Sequence, residues 1–347
     1  MVSNGKIRYF FHSIPYTGRG KQEANTMYIV TGAAGFIGSA MVWELNQAGI
    51  TDILCVDEFA NSSKWKNLVK CQFTDFINKN ELFIHLEGID PQEIDAIIHL
   101  GACADTTETD MDYLLINNYV YSIELATYCE QHNIKYIYAS SGATYGDGKK
   151  GFTENVAATD LVPLNQYGYS KVLFDRYMEK AQPKNQWVGM RFFNVYGPQE
   201  YHKDGMASLV YKAYHQIKDT NQLKLFRSED DAYKDGEQMR DFVYVKDITN
   251  WIMQLIKNDS ISGIFNMGSG KARTWLDLAQ AIFSAMNKEM KIEWIEMPDS
   301  IKNQYQYFTE ADMQKIKTHD IGNCRFSMED GVGDYIKNYL LKEDIYL

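Results

Sequence analysis

The chain has no apolar run approaching the roughly 18 to 20 residues of a membrane-spanning helix, so none is expected. It also lacks a positive balance: 35 Lys and Arg face 46 Asp and Glu, a formal net charge of −11. A negative field opposes phosphate backbones and anionic lipid, so neither nucleic acid nor a membrane is an expected partner. Cysteine is scarce and scattered. The five residues, Cys55, Cys71, Cys103, Cys129 and Cys324, form no CxxC and are odd in number. That signals neither a disulfide framework nor a zinc site, and suits a reducing cytoplasm with no bound metal. Internal repeats and low-complexity linkers are missing too. In the opening stretch MVSNGKIRYFFHSIPYTGRGKQEANT the one apolar cluster, YFF, is too short for the core of an export signal. Residues 1–26 are set aside as an extension of unknown role.

What is present suffices for an enzyme-sized core. With 347 residues and 45% hydrophobic content, the chain can build about two domains. Short apolar runs alternate with helix-length amphipathic segments: MYIVT (27–31), FIGSAMVWELNQAG, DILCVD (52–57), DAIIHLGA (95–102), a helix over 113–131, KYIYASS (135–141), a helix over 168–181 and WVGMRFFNV (187–195). Near-continuous apolar strands separated by helices predict a parallel sheet covered on both faces, a doubly wound Rossmann α/β fold. The rhythm breaks after residue 195 and returns at FVYV (242–245), a helix from Asp247 and GIFNMGSG (263–270). The expected division is a sheet domain over 27–193 and about 242–269, with a smaller α/β substrate domain over about 194–241 and 270–347.

Between the first strand and first helix stands VTGAAGFIGSA. Gly32 permits the tight turn, Gly35 lets backbone approach a pyrophosphate, and Gly38 allows close packing of helix on strand. The phosphates would meet the helix N-terminus, where free N–H groups favour an anion. Asp57 follows Gly38 by 19 residues, at the end of the second strand, where a carboxylate binds adenosine ribose hydroxyls. That favours NAD, as does Glu58. Lys64 can instead meet a 2′-phosphate, which leaves NADP open.

In YGYSK, Tyr167 and Lys171 are four apart on one helix face. An ammonium beside a phenol favours phenolate, so Tyr167 is expected to act as a base with a lowered pKa while nicotinamide takes a hydride. Ser141, at the end of the strand that runs into SSGATYG, is placed to hydrogen-bond the reacting oxygen. Cys103 is expected to pack rather than react.

The order TGxxGxxG, Ser, YxxxK resembles the extended short-chain dehydrogenase/reductase family, which includes sugar-nucleotide epimerases and dehydratases. The Asp-Glu pair that a 4,6-dehydratase carries after its Ser or Thr is absent, since Gly142 and Ala143 stand there. HLGACADTTETD, NNYVYS, YASSGATYG, YGYSK, RFFNVYGPQEYHKDGMAS, MRDFVYVKD, GIFNMGSG and YQYFTEADM together resemble the ADP-heptose 6-epimerase family from Met27 to the C-terminus. The resemblance implies inversion at C6″ of ADP-D-glycero-D-manno-heptose through a transient ketone, for the heptose of the lipopolysaccharide core, by a cytoplasmic homo-oligomer, a pentamer. It implies NADP, and Lys203 as a catalytic group. Cofactor contacts implied, beyond the glycine loop, are Phe36, Ile37, Asp57, Glu58, Lys64, Lys79, Leu100, Gly101, Ala102, Cys103, Ala104, Asn117, Lys171, Val195 and Lys203. Implied substrate contacts are Ser141, Tyr167, Asn194, Phe226, Arg240 and Tyr305, with the Arg240 fork suited to a diphosphate. The sequence departs from the family pattern at Glu58, Gly205, Lys212 and the longer DDAYKDGEQM segment.

The chemistry supplies its own reason for a second base. To invert a carbinol through a ketone, the intermediate must present its other face to a fixed nicotinamide. At an exocyclic carbon, rotation about C5″–C6″ achieves this and moves the oxygen elsewhere, where a lysine with a burial-lowered pKa can serve. The alternatives are a UDP-sugar 4-epimerase with tightly bound NAD, which gives Lys203 no duty, and a dinucleotide-sensing protein that has lost turnover.

Overall fold

Successive side chains of a strand point to opposite faces, and here both faces are covered. Tyr28, Val30, Ile53, Cys55, Ala96 and Ile98 join one apolar core, while Met27, Ile29, Leu54, Val56 and Ile97 join another. That double burial is why the strands are apolar throughout rather than alternating. The computed structural model describes residues 27–302 and 305–347; the extension 1–26 lies outside the described residues.

The strands are β1 (Met27–Thr31), β2 (Ile53–Asp57), β3 (Asp75–Asn78), β4 (Ile94–His99), β5 (Lys135–Ser141), β6 (Trp187–Phe192), β7 (Asn194–Tyr196), β8 (Leu223–Phe226), β9 (Met239–Tyr244), β10 (Gly263–Met267), β11 (Ala272–Thr274) and β12 (Ile292–Ile295). Seven of them form one sheet in the order β10-β6-β5-β4-β1-β2-β3, with every neighbour parallel. This is the expected doubly wound fold. The order reverses between β1 and β4, so a crevice opens beyond their C-terminal ends, where such folds bind ligands.

The apolar run 187–195 is two strands, not one. Phe193 leaves the sheet, its N–H donating to the Met267 carbonyl at 3.1 Å, and β7 pairs instead with β9, which pairs with β11. Strands β8 and β12 make a separate parallel pair. A third core lies beyond this crossing, built on Tyr196, Tyr214, Phe242, Tyr244, Leu278, Phe283 and Tyr335. Phe36 and Ala40 belong to it as well, so the helix Phe36–Gln47 after the glycine loop packs against both bodies. The segment expected as one helix over 113–131 is Met111–Leu115 and Tyr121–His132 joined by a π-helical turn, Ile116–Val120. Such turns mark functional sites often, and this one carries Asn117 and Asn118.

The helix Gln166–Ala181 carries Tyr167, Lys171 and Asp175 at successive four-residue steps, so all three share a face. Asp175 and Arg191 are both fully buried and paired at 2.9 Å. The same carboxylate accepts from Tyr138 at 3.1 Å and Ser140 at 2.9 Å, and Arg191 also donates to Tyr145 at 3.1 Å. Removing one partner would strand the other charge in the core. Asp175→Ala is therefore expected to cost about 3–5 kcal/mol, measured as a lowered urea midpoint at unchanged m-value.

Candidate active site

The crevice starts with the glycine loop. Gly32 has φ +66°, and a Cβ there would lie 2.6 Å from the Gly101 Cα; a Cβ on Gly38 would lie 2.0 Å from the Gly32 carbonyl oxygen. Both positions admit only glycine. Gly35 stands at the start of the helix, and no side chain caps that end, which leaves N–H groups directed at the crevice. Gly38→Ala is expected to abolish measurable dinucleotide binding in calorimetry, because the helix must move off the strand to fit one methyl group.

Asp57 ends β2 almost buried. One oxygen accepts the Ala34 N–H at 2.8 Å, and the other accepts the Glu58 N–H and the Lys64 ammonium, each at 2.7 Å. Beside it Lys79 pairs with Glu58 at 2.8 Å and donates to Asn117 at 2.9 Å, and that lysine holds the Glu58 carboxyl below its ordinary range. This end of the crevice thus offers two carboxylates and two ammonium groups, already paired with one another.

The opposite wall follows β4. Asn118 clamps Cys103 from both sides, accepting its N–H at 2.8 Å and donating to its carbonyl at 3.0 Å, and donates to Ser170 on the Tyr167 helix at 3.0 Å. Burial pushes the Cys103 thiol up, consistent with a packing residue. Gly101 N–H donates to Thr31 Oγ1 at 3.2 Å, which lies 2.6 Å from His99 Nδ1. Burial pushes His99 down to about 3, so the ring stays neutral. A chain of hydrogen bonds therefore fixes the loop from Leu100 to Ala104.

Two cavities share this wall. The first, of about 450 Å³, is lined by Gly32, Gly35, Phe36, Ile37, Gly38, Asp57, Glu58, Lys64, Lys79, Asn117, the stretch from Leu100 to Ala104, and Lys203. The second, of about 750 Å³, is lined by Ser141, Tyr167, Lys171, Asn194, Val195, Phe226, Tyr305 and again Lys203. Lys203 stands where they meet, its ammonium 5.4 Å from the centre of the Phe36 ring. Burial lowers its pKa below the ordinary lysine value, against the opposing charge of Glu200. Spaces of this size are typical of small-molecule sites.

One expectation about Tyr167 fails. Its phenol is raised above the ordinary value by burial, with only its Ser141 hydrogen bond pulling the other way. Lys171 does not spend its ammonium on the phenol; it donates to the Ala139 carbonyl at 3.0 Å. Burial brings Lys171 down to about 8, with Asp175 opposing. The Ser141 hydroxyl also accepts the Ala143 N–H at 3.1 Å, which fixes its direction at the end of β5.

Arg240 lies outside both linings. It is buried behind the second cavity, its guanidinium 5.0 Å from the Tyr305 ring centre and 5.7 Å from that of Trp275. Its guanidinium donates to the Met239 carbonyl at 2.9 Å. Among the described residues no carboxylate pairs with it, and burial lowers its pKa. An unneutralised buried guanidinium behind two aromatic rings is an anion-seeking group. Lys212 also lines this cavity and donates to the Gly205 carbonyl at 3.2 Å.

Four residues given no role by the sequence, Asn67, Asn118, His202 and Glu200, also line or brace this site. Asn67 is buried and donates to the carbonyls of Ala34 at 3.0 Å and Gln199 at 2.9 Å, joining the glycine loop to the Lys203 loop. Nothing local marks it, because its partners lie 33 and 132 residues away. His202 lines the dinucleotide cleft, and burial brings it down to about 4.

A family model described as the NAD dependent epimerase/dehydratase family matches residues 28–268. The chain belongs to this family. Among curated members, an ADP-L-glycero-D-manno-heptose-6-epimerase of Fusobacterium nucleatum subsp. nucleatum is 49% identical over 335 residues, 92% of this chain and 100% of the relative. One of the same description from Nitratidesulfovibrio vulgaris (strain DP4) is 48% identical over 325 residues, with 92% and 100% covered. Among solved members, the crystal structure of Helicobacter pylori ADP-L-glycero-D-manno-heptose-6-epimerase superposes with a TM-score of 0.78 at 28% identity, covering 91% of this chain and 97% of that one. The family fold thus extends over both bodies of the molecule.

Proposed function

We propose that this epimerase-family protein inverts C6″ of ADP-D-glycero-D-manno-heptose, giving the L-glycero epimer through a transient ketone, with NADP held in the smaller cavity. The observation that carries the reading is the position of Lys203: it lines the Tyr167 cavity and the dinucleotide cleft together. Two proton-transfer groups at one reacting space, one from each side of the chain crossing at Phe193, are what inversion at an exocyclic carbinol requires. The names of the relatives point to the same substrate.

The nicotinamide, when bound, supplies a reversible hydride acceptor. The protein does the rest. Ser141 holds the reacting oxygen near Tyr167, which takes or returns its proton; after rotation about C5″–C6″ the oxygen faces Lys203, which does the same there. Lys171 braces the strand end through Ala139 and orients the cofactor. Asn194, Phe226 and Tyr305 hold the sugar nucleotide, with Arg240 stacked behind Tyr305 as the positive charge facing its diphosphate. The glycine loop, Asp57, Glu58, Lys64, Lys79 and Asn117 hold the dinucleotide. NADP is favoured over NAD by the two lysines at its adenosine end, once their ion pairs exchange partners. Residues 27–193 with about 242–269 then form the NADP-binding domain, and about 194–241 with 270–347 the substrate domain. A cytoplasmic homo-oligomer, a pentamer, belongs to the same proposal.

The test is NMR of ADP-D-glycero-D-manno-heptose incubated with purified protein, following configuration at C6″ without added nucleotide. Conversion to the L-glycero epimer establishes the reaction and a retained, recycled cofactor. No conversion, even with NADP and NAD added, removes the heptose reading.

A further inference from the structure

Lys203 sits on a loop whose backbone is under strain. Gln199 has φ +81° and Asp204 φ +44°, conformations that cost free energy in residues with a Cβ and persist only where the surroundings impose them. The loop is also short of regular partners: a single 3-10 turn, Asp204–Met206, is its only repeating structure.

What imposes the conformation is a carboxylate. Glu200 is fully buried and reaches across the base of the loop. It accepts the Gly197 N–H at 3.2 Å at one end, and the Ser208 N–H at 2.5 Å and hydroxyl at 2.7 Å at the other. Ser208 in turn caps the helix Leu209–Thr220. Lys203 lies between these anchor points, and its own N–H returns to the Glu200 carbonyl at 3.0 Å. From below, Asn67 holds the Gln199 carbonyl at 2.9 Å. Burial pushes the Glu200 carboxyl above its ordinary range, and these three donors and the charge of Lys203 pull the other way. The carboxylate charge then reaches the neighbouring amine.

We propose that Glu200 is the positioning residue for Lys203, drawing the ends of the 197–208 loop together and, when ionised, placing a negative charge near the lysine. This rests on the reading of Lys203 as the second acid/base. The charged and titratable groups around the pair are few. Lys212, from the following helix, acts on Lys203 with the opposite sign to Glu200, and His202 lies beside it on the loop. Tyr201, Tyr211 and Tyr335 surround Glu200, each phenol raised first by burial and then by its charge. Lys203 is thus held between burial and Lys212, which favour the neutral amine, and Glu200, which favours the ammonium.

The sign of the effect follows. Turnover needs one proton shared between Lys203 and Tyr167, so it rises with pH as Lys203 loses its proton and falls when Tyr167 loses the second. In Glu200→Gln the opposing charge is gone, and the rising limb of kcat is expected to move to lower pH by on the order of one unit. Glu200→Asp keeps the charge and shortens the reach. Its turnover is expected to drop about 10- to 100-fold through misplacement of Lys203, with the rising limb where it stands in the wild type. Full turnover in Glu200→Asp, or a rising limb unmoved in Glu200→Gln, would overturn the proposal. If Glu200→Gln fails to fold, judged by its thermal melt and dinucleotide binding, Glu200→Asp alone decides on positioning. Lys203→Met separates the two readings: an active Lys203→Met removes the acid/base role itself, whereas an inactive one beside a wild-type-like Glu200 pair removes only the role of Glu200.

Discussion

Replacing Lys203 by Met is expected to lower C6″ epimerisation about 10²- to 10⁴-fold, the usual worth of one positioned acid or base. Methionine is close to the lysine stem in length and is apolar, so it fills the space over Phe36 without adding an unpaired polar group. Dinucleotide affinity should change little by comparison, since the proposed hold on that ligand rests mainly on the glycine loop, Asp57 and the residues around them. Initial rates with the ADP-heptose, followed by NMR, measure the effect. The same variant decides between sugar-nucleotide chemistries. A 4-epimerase of a UDP-sugar turns a whole ring and brings the same oxygen back to Tyr167 and Ser141, so Lys203→Met would keep its turnover. Activity on a UDP-sugar that survives the substitution would therefore send the reading to that alternative, and dinucleotide binding without product on any sugar nucleotide would send it to a sensor.

Tyr167→Phe is expected to cause a loss of similar size, about 10²- to 10⁴-fold in kcat, with KM nearly unchanged because only the hydroxyl is removed. The pH profile is the sharper readout. Burial raises the phenol and lowers the Lys203 ammonium, so in the resting enzyme lysine is the group that loses its proton first as pH rises. The falling, alkaline limb belongs to Tyr167, and in the variant that limb should vanish from the residual rate while the rising limb stays. A residual rate that kept both limbs would mean that some other group titrates in the place of the phenol.

The parts of this site that could be seen in the sequence are those whose chemistry is local. VTGAAGFIGSA announces its turn because Gly32 needs a positive φ and Gly38 a missing Cβ, and both requirements are written within one short stretch. YGYSK announces a helix face because four residues make about one turn. The doubly wound sheet was legible through the double burial of β1, β2 and β4. Elsewhere local reading could not see what tertiary contacts decide. The break at Phe193 follows from the choice of β7 to pair with β9, whose sequence lies more than 40 residues on. The lowered Tyr167 pKa expected from Lys171 did not appear, because the ammonium finds a backbone carbonyl on β5 that spacing along the helix cannot show. Arg240 was implied by the family resemblance, but its seat behind Tyr305 and Trp275 rests on a fold-level packing of three separate segments.

The single amide of Asn67, bonded to Ala34 on one side and Gln199 on the other, has a thermodynamic meaning. A ligand that orders the glycine loop must also favour one arrangement of the Lys203 loop, and by linkage whatever steadies the Lys203 loop must tighten the hold on that ligand by the same factor. The set of the loop that carries Lys203 is thereby tied, across 132 residues of chain, to the set of the turn that opens the fold.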